Sequence, residues 1–338
     1  MNMAAGIVAY AAYIPYFRIE KSEYRKAWGS CAADIREKAV ADIDEDAVTM
    51  MVEAGRQVLQ GIDPAGVEVL ALASTTFPYD ERLMAATLVN ALGLKKDVST
   101  LEFTDSARAG TGALINARKA LEQKGAGLAL VLAADNPAAR PGDELEHGLG
   151  AGACAFLLGL GDTAVRFEGE REWVEENLGV QFRRFGEPFL HDAGIKSLQE
   201  HAGRSTLIPA VRSLLSALDR RPEHYRHAVF TQTGARRALS LGRSLGFSSE
   251  QMEKGMLFAE TGDTGAASAL LGLCAVLDQA QNGELILVAG YGSGAGAHAI
   301  SLQVEKKARR PGPAVRAWLD RKRYIDYVQY LKMKKQIL

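Results

Sequence analysis

Residues Thr104–Leu114 read TDSARAGTGAL and predict a turn from a buried strand into a helix. The helix begins near Ala109 and runs to about Gln123, where Lys124-Gly125 ends it. An apolar strand follows at 128–133. This turn, which we call the elbow, places the residue before the helix where free amides and the helix dipole favour negative charge.

The second half of the chain repeats this plan. Small residues at 262–268, GDTGAAS, open a helix predicted from about 269 to 281, and an apolar strand follows at 285–289. Gln123-Lys124-Gly125 and Gln281-Asn282-Gly283 end the two helices 158 positions apart. We therefore predict a duplicated α/β fold, layered α-β-α-β-α, with two pseudo-equivalent halves that pack together.

The repeat sets the predicted domain boundaries. They are an N-terminal half at 1–166, an insertion at 167–202, a C-terminal half at 203–304 and a basic tail at 305–338. Further predicted strands are 6–12, 67–73, 154–158 and 299–304, and further predicted helices begin after Asp46 and at Met84.

Composition predicts a globular protein. The chain has 338 residues, is 47% hydrophobic and carries a formal charge of -1. It shows no apolar run long enough for a membrane span and no signal-peptide pattern at its start. Its cysteines, Cys31, Cys154 and Cys274, are too far apart for a metal motif or an obvious disulfide framework. These features together predict a cytoplasmic protein.

The tail is basic, with eleven Lys or Arg against three Asp or Glu from Glu305 to Leu338, a net of +8. It is interpreted either as a solvated, partly helical face or as a surface for a phosphorylated ligand or an acidic partner. Its aromatic residues predict that it packs on the body: Trp318, Tyr324, Tyr327 and Tyr330. No nucleic-acid-reading motif accompanies the basic cluster, so nucleic-acid binding is not expected.

The segment Gly292–Gly296 reads GSGAG and follows a strand. A dinucleotide-binding loop would open a helix, but strand-like alternation follows here. Two interpretations stay open. The glycines allow close packing of the two halves, or they aim backbone amides at a substrate carbonyl as an oxyanion hole does.

Several segments, in this order and spacing, resemble the 3-hydroxy-3-methylglutaryl-CoA synthase family and, more broadly, the thiolase superfamily with ketoacyl synthase III. They are GIVAY at 6–10, YIP at 13–15, DED at 44–46, AGT at 109–111, PGDELE at 141–146, LLGL at 270–273, GSGAG at 292–296 and YIDYVQYLK at 324–332. The resemblance implies a thiolase-like fold and an acyl-CoA thioester as ligand, with no covalently bound cofactor. It also implies a homodimer or heterodimer, since such folds complete their pockets across a dimer interface.

The same resemblance implies an acyl-carrying cysteine at the elbow. Counting back from Ala109, Ala107 takes the place of that cysteine. The segment after Phe103 is two residues longer than in typical synthases, so Ser106 is the other candidate. Alanine offers no nucleophile, and a serine needs a base within hydrogen-bond reach.

The family's histidine, asparagine and glutamate are also replaced. Thr231 stands for the histidine, and Thr75 stands for the glutamate. Asp263 stands for the asparagine, where its carboxylate would repel an oxyanion or simply cap the following helix. We predict Gly292, Ser293 and Gly294 as substrate-binding residues.

Histidines offer no replacement for the missing catalytic set. His147 replaces a family tyrosine and is predicted to line the pocket. No two histidines have metal-ligand spacing, so no metal site is predicted.

Three functional hypotheses follow. In the first, the chain is a non-catalytic subunit that pairs with a thiolase subunit and a zinc-bearing OB-fold protein in an acyltransferase complex, as certain synthase-like subunits do. In the second, it is an acyl-CoA-processing enzyme with altered chemistry, such as acyl transfer, C–C cleavage or hydrolysis, that uses Ser106 or Asp263. In the third, it binds another ligand or a protein without acyl-CoA chemistry.

Overall fold

Fourteen strands and eleven helices make up the described part of the chain. The computed structural model describes residues 3–176, 181–194, 203–294 and 296–337. The strands are β1 (Ala5–Tyr13), β2 (Phe17–Glu20), β3 (Glu37–Val40), β4 (Val67–Ala73), β5 (Ser99–Phe103), β6 (Leu128–Asp135), β7 (Gly152–Leu160), β8 (Val165–Val174), β9 (Gln181–Phe182), β10 (His191–Asp192), β11 (His227–Phe230), β12 (Leu285–Gly292), β13 (Gly296–Val304) and β14 (Arg323–Ile325). The helices are α1 (Lys21–Trp28), α2 (Ala47–Val58), α3 (Met84–Ala91), α4 (Ala109–Lys124), α5 (Arg204–Ala217), α6 (Ala235–Ser244), α7 (Ser249–Glu253), α8 (Phe258–Thr261), α9 (Ser268–Leu277), α10 (Val315–Asp320) and α11 (Tyr327–Met333).

One mixed sheet of nine strands joins the two halves in the order β11-β12-β13-β8-β1-β7-β6-β4-β5. Strands β1 and β8 pair antiparallel at the seam, through Gly6 with Arg166 and Ile7 with Val165. The central strands are buried almost throughout and helices flank the sheet, which explains why their sequences are continuous apolar runs. The structure therefore has the mixed α/β architecture that the repeat predicts.

Strand β8, at the seam between the two halves, pairs with β1 on one side and with β13 on the other. Residues 165–174 form β8, which pairs along its length with β13 and so belongs to the central sheet. The predicted insertion at 167–202 overlaps this strand. Charged and polar residues at exposed positions of β8, such as Glu172, hide its strand character in the sequence. The rest of that segment is described only at 175–176 and 181–194.

Helices α4 and α9, one from each half, lie against each other. Every residue of α9 is buried, as are nine residues of α4. Gly110 permits this contact, because a Cβ there would lie 2.1 Å from the Ala266 carbonyl oxygen. The elbow is thereby held against the second half of the chain.

The described part of the tail is ordered on the body. Strand β14 pairs parallel with β2, and Trp318, Tyr327 and Tyr330 are buried. Two of its basic side chains form ion pairs. Arg316 pairs with Glu260 and Asp320, and Lys322 pairs with Glu37. No helix in the described ranges is long and apolar enough to cross a membrane.

Candidate functional site

A cavity of about 490 Å³ lies where the elbow meets the second half. The elbow supplies Thr104 to Ala107, the segment after β6 supplies Asn136 to Ala138, and the segment after β12 supplies Ser293 and Gly294. The remaining wall residues are Thr75, Thr76, Leu149, Gln181, Phe182, Arg183, Pro188, Leu190, Thr233, Arg237, Asp263, Gly265 and Tyr291. The structure therefore brings the predicted residues Ser106, Ala107, Thr75, Asp263, Ser293 and Gly294 to one cavity.

At the elbow, both candidates for the cysteine position line the cavity. The Ser106 hydroxyl donates to an Asp105 carboxylate oxygen at 3.0 Å, and the same oxygen accepts from Arg108 Nε at 2.9 Å. Arg108 also pairs with Glu172 at 2.7 Å. In the described part of the chain, Ser106 thus has an ion-paired carboxylate as its side-chain partner and no imidazole base.

Gly292 and Gly296 receive the side chains of the elbow. A Cβ at Gly292 would lie 1.9 Å from Ser106 Oγ, and one at Gly296 would lie 2.7 Å from an Arg108 guanidinium nitrogen. Close packing therefore accounts for both glycines. Between them, Ser293 Oγ accepts a hydrogen bond from the Gln181 amide at 3.0 Å.

Thr75 is bound to a buried carboxylate. Its amide and hydroxyl donate to Asp135 at 2.8 and 2.9 Å, and Ser74, Thr76 and the Ala266 amide donate to the same side chain. Burial raises the pKa of Asp135, although these five hydrogen bonds oppose the rise. The Thr75 hydroxyl is thus engaged by Asp135 within the first half, and the Ala266 amide, which binds the same carboxylate, joins the second half to it.

Thr231 has a structural partner as well. It is buried, and its hydroxyl accepts from the Tyr291 amide at 3.1 Å. The adjacent Gln232 holds Leu257, Phe258 and Gly255 through their backbone groups. Neither side chain lines the cavity.

Asp263 is the cavity carboxyl with the most altered acidity. It is 5% exposed, and its side chain accepts from the Gly265 amide at 2.9 Å. Burial raises the pKa of Asp263 to about 7, and the nearby charge of Asp135 adds to the rise. Asp263 does not cap α9, because a one-turn helix at Gly265–Ala267 separates them.

His147 lies away from this cavity. It is buried, its Nδ1 accepts from the Ala32 amide at 3.1 Å, and its ring packs 4.7 Å from that of Tyr24. Burial lowers its pKa, and the positive charge of Lys38 adds to the effect. The prediction that His147 lines the pocket differs from the structure because the chain at Ala32 covers the ring.

Asn136, Arg183 and Arg237 are among the polar wall residues that the sequence analysis does not predict. Arg183 donates to the Thr75 carbonyl at 2.7 Å, and Arg237 donates to Thr233 at 3.2 Å. Asn136 directly follows the apolar strand β6, and a polar residue at a strand end was the available signal. The two arginines come from distant segments whose approach the sequence does not encode locally.

A second cavity of about 590 Å³ adjoins the first through Gln181, Thr233 and Arg237. Lys21 and Arg236 are further basic residues of its wall. Asp34, Glu144 and Asp192 belong to the same wall, so the second cavity carries charges of both signs.

Comparison with known proteins agrees with this architecture. Residues 215–304 match the family described as 3-oxoacyl-[acyl-carrier-protein (ACP)] synthase III C terminal. The hydroxymethylglutaryl-CoA synthase of Thermococcus gammatolerans is 34% identical over 98% of this chain and 97% of its own length. That of Caldivirga maquilingensis is 34% identical over 99% of both chains.

Solved structures show the same fold. A crystal structure of HMG-CoA synthase complexed with CoA aligns with a TM-score of 0.88 at 20% identity, over 98% of this chain and 90% of that one. 3-Oxoacyl-[acyl-carrier-protein] synthase III from Aquifex aeolicus aligns with a TM-score of 0.81 at 20% identity, over 89% of this chain and all of that one. With full-length relatives at 34% identity, the chain belongs to the hydroxymethylglutaryl-CoA synthase family, within the thiolase superfamily.

Proposed function

We propose that this chain binds an acyl-CoA thioester without forming a covalent acyl-enzyme and acts as a non-catalytic subunit of a thiolase or acyltransferase complex. One observation carries the proposal. Where the family resemblance implies a cysteine, a histidine, an asparagine and a glutamate, this chain has Ala107, Thr231, Asp263 and Thr75. The proposal concerns this chain and not its relatives, which are named as synthases.

The partners of these side chains support the loss of thioester chemistry. The Thr75 hydroxyl donates to Asp135, and the Thr231 hydroxyl accepts from Tyr291. Ser106 has Asp105 as its side-chain partner within the described ranges. None of these arrangements supplies an activated nucleophile with a base near neutral pH.

The two cavities support retention of a CoA thioester as ligand. The second cavity carries three basic residues, Lys21, Arg236 and Arg237, and three acidic ones, Asp34, Glu144 and Asp192. We propose that the basic side chains bind the phosphates of CoA. The second cavity adjoins the first cavity through shared residues, and we propose that the acyl chain lies in that first cavity. The site would thus hold the thioester beside the elbow without attacking it.

A sheet edge that no strand of the described residues pairs with supports a partner subunit. Strand β5 is the last strand of the sheet, and four of its five residues are half-buried while the fifth is exposed. Tyr79 and Leu83 are 58% and 56% exposed on the segment leading into α3, whose Ala85 amide binds Glu102 of β5. An open strand edge flanked by exposed apolar side chains is a natural pairing surface. We propose that this β5 surface pairs with a second copy or with a thiolase subunit, and that a zinc-bearing OB-fold protein completes the complex.

The test separates binding from turnover. The purified chain should bind CoA and acetyl-CoA in calorimetry, yet release no thiol from acetyl-CoA and take up no radiolabelled acetyl group. Activity should appear only with the copurifying partner subunits. Sustained turnover by the chain alone would contradict the proposal, and absence of binding to any CoA compound would favour a ligand of another class.

Asp263 favours a second candidate function, cleavage or hydrolysis of an acyl-CoA with this carboxylate as general base. The side chain lines the cavity, and its pKa of about 7 suits proton transfer at neutral pH. Under this alternative, Asp263→Asn abolishes CoA or product release. Ser106→Ala is the matched variant at the same cavity, and it distinguishes a base at Asp263 from a nucleophile at Ser106.

A further inference from the structure

The cavity wall at Asn136 to Ala138, and Ala139 next to it, is held by the end of the chain. Lys334 Nζ donates to Asn136 Oδ1 at 2.6 Å and to the Pro137 carbonyl at 2.8 Å. Gln336 Nε2 donates to the Ala139 carbonyl at 3.0 Å. The residues after α11 therefore support one wall of the cavity, far from it in sequence.

The contact with Lys334 fixes which way the Asn136 amide faces. An ammonium group only donates hydrogen bonds, so the atom facing Lys334 must be the amide oxygen. Burial lowers the pKa of Lys334 to about 8, while Glu146 favours the charged form, and the group is mainly an ammonium at pH 7. The amide therefore cannot exchange its oxygen and nitrogen without losing this bond.

The amide nitrogen is left for the cavity. Asn136 lines the cavity, and its own backbone amide binds Thr76 Oγ1 at 2.9 Å. Within the described residues, no protein group accepts a hydrogen bond from Asn136 Nδ2. A donor held in one direction and facing a cavity is suited to recognising an oxygen of a ligand.

We infer that Asn136 is a specificity-determining residue, whose amide nitrogen donates a hydrogen bond to an oxygen on the acyl chain of a bound thioester. Lys334 acts as its positioning residue. The inference rests on the proposed function, because it takes an acyl-CoA as the ligand. An acyl chain without such an oxygen would cover the N–H and leave it unpaired, which disfavours binding of that chain.

The test compares two esters that differ by one hydroxyl, 3-hydroxybutyryl-CoA and butyryl-CoA, with CoA as a third probe. Calorimetry on the full-length chain should show about tenfold tighter binding of the hydroxy ester. Asn136→Asp keeps an oxygen for Lys334 but removes the donor, so this variant should lose the preference and keep its affinity for CoA. Lys334→Met should reduce the preference to about threefold, because the amide is no longer held.

Gln336→Ala is the matched control, since it removes a contact of the same wall without touching Asn136. This variant should keep the full preference. Equal binding of the two esters by the unmodified chain, or an undiminished preference in Asn136→Asp, would overturn the inference and leave the proposed function intact. Failure of the unmodified chain to bind any of the three compounds would overturn both.

Discussion

At the residue scale, two buried carboxyl groups differ in how many hydrogen bonds they accept. Asp135 accepts five hydrogen bonds, from three hydroxyls and two backbone amides. Asp263 accepts one, from the Gly265 amide. The sequence shows two aspartates, but only their surroundings show that the first joins the halves and that the second titrates near neutral pH.

Replacing Asp263 by Asn should change how stability depends on pH. The pKa of Asp263 is raised from 3.8 to about 7, so the folded chain keeps a proton that the unfolded chain has lost. Stability therefore falls as pH rises through this window, by up to about 4 kcal/mol, and levels off above it. Asp263→Asn removes this loss and should be the more stable protein at pH 8, with a smaller difference at pH 5.

Urea unfolding at the two pH values measures this effect. Asp105→Asn is the control, because it neutralises an exposed carboxyl of the same cavity. If the stability of Asp263→Asn changed with pH as much as that of the unmodified chain, the raised pKa of Asp263 would be refuted.

Replacing Asp135 by Ala should destabilise the fold by about 3 kcal/mol or more. The change leaves the buried donors of Ser74 and Ala266 and the half-buried donors of Thr75 and Thr76 without their acceptor, and each unpaired buried group costs about 1–3 kcal/mol. Asp105→Ala should cost less than about 1 kcal/mol, because its ion pair is exposed. Chemical unfolding midpoints check the difference, and similar midpoints for the two variants would count against the role of Asp135.

At the scale of elements, the packing of α4 against the second half decides where the elbow lies. Gly110 and Gly112 both belong to α4, but their surroundings differ. A Cβ at Gly110 would meet the Ala266 backbone carbonyl at 2.1 Å, whereas one at Gly112 would meet the end of the His298 side chain at 3.3 Å.

Gly110→Ala should therefore destabilise the protein by at least about 2 kcal/mol, because the backbone of the other half must move. Gly112→Ala should lie within about 1 kcal/mol of the unmodified chain, since the helix propensity that alanine gains, about 1 kcal/mol, opposes the cost of displacing His298 slightly. Thermal unfolding of the two variants checks this. Equal melting temperatures would show that α4 and the second half are not in close contact at Gly110.

At the scale of the whole molecule, the β5 surface is where a partner is expected. Leu83→Asp and Tyr79→Asp place charges on two exposed apolar side chains and should leave the fold intact, because neither is buried. If this surface pairs with a second copy, the variants shift the protein from dimer to monomer in sedimentation experiments. Arg236→Asp, on a side chain that is 93% exposed beside the second cavity, is the control. If both β5 variants associate as the unmodified chain does, the interface lies on another surface.

Much of the fold follows from local pattern. The predicted strands at 67–73 and 128–133 lie within β4 and β6, because strands covered on both faces must be apolar throughout. The predicted helix start at Ala109 matches α4, since small residues and a Lys-Gly end mark it clearly. Most of strand β8 lies in the segment that the sequence predicts as an insertion, because its exposed positions carry charges and its pairing with β13 is long-range.

The sequence alone determined the buried central strands, the helices that follow the two small-residue turns and which residue types stand at the elbow, because these depend on local propensity and on identity. Only the tertiary structure decided what those residues touch. Ser106 meets Asp105, Thr75 meets Asp135, and Asn136 meets Lys334 from the end of the chain. The last two partners lie 60 and 198 positions away in sequence, and such contacts arise only when the strands of the first half pack together and the tail packs against them.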